Sequence, residues 1–327
     1  MLSTALCDVL SIEVPIIQAA IWPATSPHLV AAVGEAGAIG SLGAVFGSAD
    51  QIRAEIAAVR DLTERPFIVN HVLPQLDPAA FEATLRERPA AISFALGDPG
   101  DLVARAHHVG TKVIHQVHNV DQARDAADLG VDAIIAQGAE AGGQGMLAGV
   151  GALALIPQVV DAVAPTPVIA AGGIADGRGL VAALMLGAAG VNVGTRFLAS
   201  QEASAHAAWK QQIVAARSED AVRFEAWMRI FPPAPAPAYP VVPRVLGTEF
   251  VERWQAQAGN ERSRVEDARA ALQQAIARRT PHELLPFTGQ SAGLVHDVVP
   301  AAEIVRRVVA EAEQILAQLA SRVCVAR

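Results

Sequence analysis

Lysine is almost missing from this chain: Lys112 and Lys210 are the only two in 327 residues. Lys112 opens an apolar run that reads as a strand, and Lys210 sits in a helical segment. Neither is placed for Schiff-base chemistry, which needs a desolvated amine at a reactive centre. Cysteine is equally scarce. Cys7 and Cys324 supply neither a disulfide framework nor a cysteine zinc site, and two thiols fit a reducing, cytoplasmic compartment. Aromatic residues make up 4% and charged residues 18%. The net charge of −8 leaves no basic footprint for nucleic acid or an anionic membrane. Apolar runs are short, and none approaches the ~18 residues of a membrane span. Met1 to Leu10 carries Asp8 and no Lys or Arg, so it does not read as a signal peptide. No His-x-x-x-His pair, carboxylate cluster or Gly-x-Ser-x-Gly elbow occurs, so no metal is expected and a serine hydrolase is not indicated.

What is present is a large apolar content, 52% with a mean hydropathy of +0.32, enough for a sizeable core in one large or two smaller domains. Short apolar runs recur through the first 200 residues: 15–18, 38–42, 66–70, 91–94, 113–116, 133–136, 168–171 and 190–193. Each is too short for a helix and lacks polar alternation, as strands buried on both faces do. Ala-rich amphipathic segments lie between them, with helix starts expected at Asp50, Asp121 and Asp176-Gly177. This alternation predicts βαβ units and a parallel sheet. Eight strands is the count of a (β/α)8 TIM barrel; a doubly wound sheet is the competing architecture.

The character changes after Ser200. Residues 1–200 read as the barrel core, and 201–327 as a C-terminal helical extension wrapping the barrel within one structural unit. Within the extension, 201–230 reads as helical. Phe231 to Pro243 holds six prolines, a pattern unsuited to helix or central strand, and reads as a crossing loop. Helices are expected at 248–278 and 300–321, with a glycine-bearing loop, Pro286 to Gly293, between them.

In such a barrel the site forms at the C-terminal strand ends, with phosphate bound after the seventh and eighth strands. Here the seventh strand ends in Gly172-Gly173, followed by Asp176-Gly177 and a helix. The eighth ends in Gly194-Thr195-Arg196. Glycines let backbone N–H groups approach a phosphate, a helix N-terminus adds a favourable dipole, and Thr195 offers a hydroxyl. Tight turns without ligand are the alternative. After the sixth strand, Gln137 to Gly145 holds four glycines in nine residues, which fits backbone packed against a flat ligand or a mobile surface loop.

Pro15-Ile16-Ile17-Gln18, Pro66-Phe67 with Val69-Asn70, Gln137 to Gly145, Ala170 to Ile174, Gly194-Thr195-Arg196-Phe197 and Gly289-Gln290-Ser291-Ala292-Gly293 together resemble the nitronate monooxygenase family. The likeness covers nearly the whole chain in order. It implies an FMN-binding barrel related to flavin-dependent enoyl and quinone reductases, acting on a small molecule with O2. Carried over by motif, Ala20, Asn70, Gln116, Gln137, Gly142, Gly143, Gly172, Gly173, Asn192, Val193, Gly194 and Thr195 are the expected cofactor contacts. Gly173, Gly194 and Thr195 would hold the phosphate.

Three positions depart from the family pattern. Gln144 stands where the family's proton-handling His follows Glu-Ala-Gly-Gly; an amide takes no proton near neutral pH. Ala20-Ile21-Trp22-Pro23 replaces the usual first loop, and Trp22 is a candidate to stack on flavin or substrate, or to pack in the core. Gln116 stands where several relatives carry a Lys.

The expected catalytic residues are therefore Gln144, orienting the substrate, and His71, standing in for the missing base. Trp22, His115, Gln290 and Ser291 are further substrate candidates. Two alternatives remain: an NAD(P)H-dependent FMN reductase of a quinone or enoyl thioester, and a flavin-binding protein without turnover. A homodimer is compatible with the apolar content and the long extension.

Overall fold

A computed structural model describes residues 2–45, 47–230, 240–255, 262–278 and 280–322. Eight parallel strands form a barrel: β1 (Ile16–Gln18), β2 (Gly40–Gly43), β3 (Phe67–Val72), β4 (Ala91–Ala95), β5 (Lys112–Val117), β6 (Ala133–Gln137), β8 (Val168–Ala171) and β9 (Gly190–Val193). Their spatial order is β1-β9-β8-β6-β5-β4-β3-β2. The ends meet through the Ile17–Ile39 bridge, where the Gln18 and Ile39 N–H groups donate to Ile39 and Ile16 carbonyls at 2.9 and 3.0 Å. This closure excludes the doubly wound sheet. The eight strands match the apolar runs within one or two residues.

Alternation along the strands sorts the side chains. Ile17, Ile39, Ile68, Ile114, Ile135 and Ile169 fill the barrel interior. The interior is sealed from below by Leu6, Cys7 and Leu10 of the short helix Ala5–Leu10. One pleat further up, the inward positions turn polar: Ser41, Asn70, Ser93, Gln116, Gln137 and Asn192. The outward set packs under a ring of helices in two clusters, a large one and a smaller one in which Leu42, Phe67 and Val69 meet Ile52, Ile56 and Val59.

Helix starts follow capping chemistry. Ser48 forms a capping box with Gln51, and Asn119 accepts from the Gln122 N–H. These residues, rather than Asp50 and Asp121, begin their helices. Asp176 caps Gly177–Met185 as expected. The helix Ala301–Arg322 packs against both Gly177–Met185 and Pro27–Glu35, completing the ring although it lies beyond residue 200.

Between Ser200 and Ala301 the chain departs from the helical expectation. Only Ala207–Ala215 forms a helix of more than one turn before residue 230. Short β10 (Ala221–Arg223) follows, and it pairs with β11 (Val241–Leu246), which pairs with β7 (Gly143–Met146), all antiparallel. β11 is thus a central strand that contains Pro243, contrary to the sequence reading. β10 ends one residue short of the position facing Pro243, so the missing N–H falls where the ladder stops. The rest of the Pro-rich segment, 231–239, lies outside the described residues. The expected helix at 248–278 is two helices, Glu249–Gln255 and Arg262–Ala277, with 256–261 outside the described residues. A second core of Phe224, Ile230, Val245, Val251, Leu272 and Leu285 holds these pieces together over the strand ends.

Leu6 is fully buried in the lower core. Leu6→Ala should cost about 2–5 kcal/mol, read as a lower urea midpoint with unchanged m-value, while the distant mouth keeps its ligand affinity.

Candidate active site

A cavity of about 640 Å³ opens at the C-terminal ends of the barrel strands. Its inner wall is a set of amides and hydroxyls. Asn70 Nδ2 donates to Ser93 Oγ at 2.9 Å. Gln137 Nε2 donates to the Gln144 carbonyl at 3.0 Å and lies 3.4 Å from His118 Nε2. Asn192 also lines the cavity, and its Oδ1 is buried with no hydrogen-bond donor. Among the described residues, no ionisable side chain lines the cavity.

The loops around the mouth are locked to one another. Glu140 of the Glu-Ala-Gly-Gly run turns its carboxylate onto the Ala152 N–H, at 2.9 and 3.0 Å, capping the helix Ala152–Val163. Arg244 Nη2 donates to the Ala139 carbonyl at 2.8 Å. Gly142 lies so close to the next loop that a Cβ would stand 2.6 Å from the Gly289 nitrogen. The Gly289 N–H donates to Thr195 Oγ1 at 2.9 Å, which leaves the Thr195 hydroxyl proton free to donate.

Gly172 and Gly173 adopt φ of +100° and +74°, a region that L side chains rarely enter. Their turn faces the cavity beside Gly194 and Thr195. The helix that follows is not available to an anion, contrary to the sequence reading. Asp176 accepts from the Arg178 and Gly179 N–H groups. Glu311 accepts from the Gly177 N–H at 2.8 Å. Two carboxylates occupy the positive end of that helix, so only the glycine turns and Thr195 remain for a phosphate.

A family model for nitronate monooxygenase matches residues 3–88 and 79–311. The chain belongs to the nitronate monooxygenase family. It is 34% identical over 359 aligned positions to a nitronate monooxygenase of Pseudomonas aeruginosa, covering 92% of this chain and 97% of that one. Among solved structures it is similar to FabK from Thermotoga maritima, with a TM-score of 0.87, 33% identity and 99% and 100% coverage. It is also similar to a nitroalkane oxidase from Streptomyces ansochromogenes, with a TM-score of 0.82, 28% identity and 97% and 100% coverage. As a member of the nitronate monooxygenase family it is an oxidoreductase of a flavin-dependent class. No helix among the described residues is long and apolar enough to cross a membrane, and no cluster of potential metal ligands occurs among them.

Most of the residues singled out in the sequence share this one cavity. Ala20, Trp22, Asn70, Gln116, Gln137, Gly142, Gly143, Gln144, Gly172, Gly173, Asn192, Gly194, Thr195 and Ser291 all line it. Four do not. Val193 is buried and points out of the barrel, as its alternation with Asn192 requires. Gln290 holds the mouth loop through its N–H on the Glu140 carbonyl at 2.9 Å, without lining the cavity.

The two histidines fail for the same reason. His71 follows the inward Asn70, so its ring goes outward, bonds Thr84 Oγ1 at 3.0 Å and packs edge-on against Phe81. Burial pushes its pKa down to about 4. His115 precedes the inward Gln116 and is likewise outward and buried. Its pKa is pushed down to about 4 by burial, opposed by its hydrogen bonds to the Gly97 and Phe94 backbone carbonyls and by the charge of Asp98. Neither can take a proton from a ligand in the cavity.

Other contributors were not singled out in the sequence. Ser41 and Ser93 follow from counting by twos from Ile39 and Ala91. Trp227, Leu272, Gln273, Ile276, Leu285 and Phe287 come from the extension, and no local pattern ties them to a barrel mouth.

His71, His115 and His118 all have pKa values near 4, His118 through burial and the neighbouring His115. Unfolded histidines titrate near 6.5. The folded protein therefore binds fewer protons across that interval, and stability falls as pH drops from about 6.5 to 4. The thermal midpoint should decline over that range, and His71→Leu should remove roughly a third of the decline.

Proposed function

We propose that this protein is an FMN-dependent oxidoreductase that oxidises alkyl nitronates with O2 to a carbonyl compound and nitrite, taking the preformed anion rather than the neutral nitroalkane. The observation that carries this is that, among the described residues, no ionisable side chain lines the cavity. Removing a proton from carbon needs a base of suitable pKa within hydrogen-bond reach. An amide in that place can only bind and orient. A nitronate arrives already deprotonated and asks nothing more.

The residues present fit FMN. The buried, donorless Asn192 Oδ1, with Gln137, Asn70 and Gln116, suits the alternating donors and acceptors of a flavin ring. The left-handed Gly172-Gly173 turn, with Gly194 and the Thr195 hydroxyl, would hold the phosphate through neutral hydrogen bonds. When bound, FMN supplies the electron-accepting and oxygen-reducing chemistry. Gln144 would orient the nitronate oxygens through its side chain, while its carbonyl stays committed to Gln137. The apolar outer wall excludes water from the reacting carbon.

A second reading, an NAD(P)H-dependent FMN reductase of a quinone or enoyl thioester, is favoured by the likeness to FabK, whose TM-score exceeds that of the nitroalkane oxidase. Anaerobic titration of the FMN-loaded protein separates the two. Bleaching of the oxidised-flavin band by an alkyl nitronate, with none from NADPH, is expected. Bleaching by NADPH alone would select the reductase.

Two substitutions check the assigned roles. Gly173→Val places a β-branched side chain at φ +74° and should yield protein without flavin, measured as the absorbance ratio of the purified variant. Gln144→His puts a base at the cavity wall. Turnover of neutral nitroalkanes should rise at least tenfold, toward the roughly 10²–10⁴ that a positioned base contributes, with nitronate turnover little changed.

A further inference from the structure

We infer that His118, which does not line the barrel-mouth cavity, is a positioning residue: its ring Nε2 accepts from Gln137 and so fixes the Gln137 amide with the carbonyl oxygen turned to the ligand. The inference rests on the reading above only in taking that ligand to be FMN.

Gln137 ends β6 and borders two spaces, the barrel-mouth cavity and a second, small one of about 20 Å³. His118 lies just past β5 and lines the small space but not the large one. The ring is almost fully buried.

An amide carries a donor on one side and an acceptor on the other, and its neighbours decide which goes where. The Gln144 carbonyl lies 3.0 Å from the Gln137 nitrogen. With the amide turned over, two carbonyl oxygens would face each other, so the NH2 group belongs on this side. His118 Nε2 lies 3.4 Å from the same nitrogen. An NH2 group only donates, so the ring nitrogen facing it accepts, and the ring proton sits on Nδ1. Both amide hydrogens are then spent, one on Gln144 and one on His118. Oε1 is the atom left for the ligand.

The surroundings keep that ring nitrogen bare. Arg223 and Arg244 border the small space, and among the described residues no carboxylate does. Burial and the neighbouring His115 hold the His118 pKa near 4, opposed by a hydrogen bond to the Gln122 side chain. The acceptor is therefore intact at neutral pH. Gly145 leaves ring and amide in contact: a Cβ there would stand 3.3 Å from the Gln137 nitrogen and 4.0 Å from His118 Nε2. Without the ring, an amide hydrogen is stranded or the amide turns over and offers the ligand a donor in place of an acceptor.

The first test needs no variant protein. Histidine labelled with nitrogen-15 reports its tautomer by NMR, in wild-type protein with FMN and stripped of it, at about pH 7. The His118 signals, assigned by their loss in His118→Gln, should show a protonated Nδ1 and a bare Nε2 in both samples.

The second test asks whether the ring acts through the amide. His118→Leu should weaken FMN binding about tenfold, read by quenching of flavin fluorescence. His118→Gln keeps an acceptor and should return affinity to within about threefold of wild type. In a Gln137→Leu background, His118→Leu should change FMN affinity by less than about threefold.

A protonated Nε2, or an equal loss of affinity in both backgrounds, would overturn the inference. FMN bound by protein whose Nε2 is protonated would remove the inference and leave the flavin reading standing. A protonated Nδ1 in protein that takes up no FMN would keep the arrangement and remove the flavin reading.

Discussion

Two loops meet backbone to backbone at Gly142 and Gly289, and the site depends on that contact. A Cβ on either residue would stand 2.6 or 2.7 Å from the other's nitrogen, so only glycine permits the approach. Once there, the Gly289 N–H reaches Thr195 at the end of β9, and the Gln290 N–H reaches the Glu140 carbonyl beyond β6. Thr288 accepts from the Trp209 indole at 3.1 Å, which anchors the same loop to the extension. The phosphate-side turn, the glycine-rich loop and the apolar outer wall are thereby fixed by one junction. The glycine richness that looks like freedom in the sequence serves close packing here.

The second constraint is electrostatic. Charges near the mouth have been spent on structure: Glu140 caps a helix, Asp176 and Glu311 close another, and Arg244 ties a strand to a loop. The histidines of β3 and β5 face outward and are held neutral by burial. Among the described residues, what remains facing the cavity is a set of amides, hydroxyls and hydrocarbon. Such a surface binds and orients without exchanging protons, which is the ground for proposing a preformed nitronate rather than its parent nitroalkane.

The barrel was legible because each strand is a short apolar run buried on both faces, and because helix and strand alternate without a break. Much of the site was legible too, since barrel geometry puts strand ends together: Asn70, Gln116, Gln137 and Asn192 all fall where a period of two from an inward isoleucine or glycine places them. The same count, applied strictly, would have turned His71 and His115 away from the mouth, since each neighbours an inward amide. The extension was hardest to read. β10 has three residues, β11 carries a proline and an arginine, and β7 is half glycine, so none has the signature of a strand. The pairing of β7 with β11 is set by tertiary contact across about a hundred residues of sequence, and that of β10 with β11 across about 21 to 25. The capping of Gly177–Met185 by Glu311 was likewise invisible, because the carboxylate arrives from 134 residues away.

The central claim is that no group on the protein exchanges a proton during the reaction. The most direct test is the anaerobic rate of flavin bleaching at saturating, freshly dissolved nitronate, followed by stopped flow across about pH 7 to 9. A rate that stays flat is the predicted result. A sigmoidal or bell-shaped profile that survives in Gln144→Ala would place an ionising side chain at the reacting centre and contradict the account.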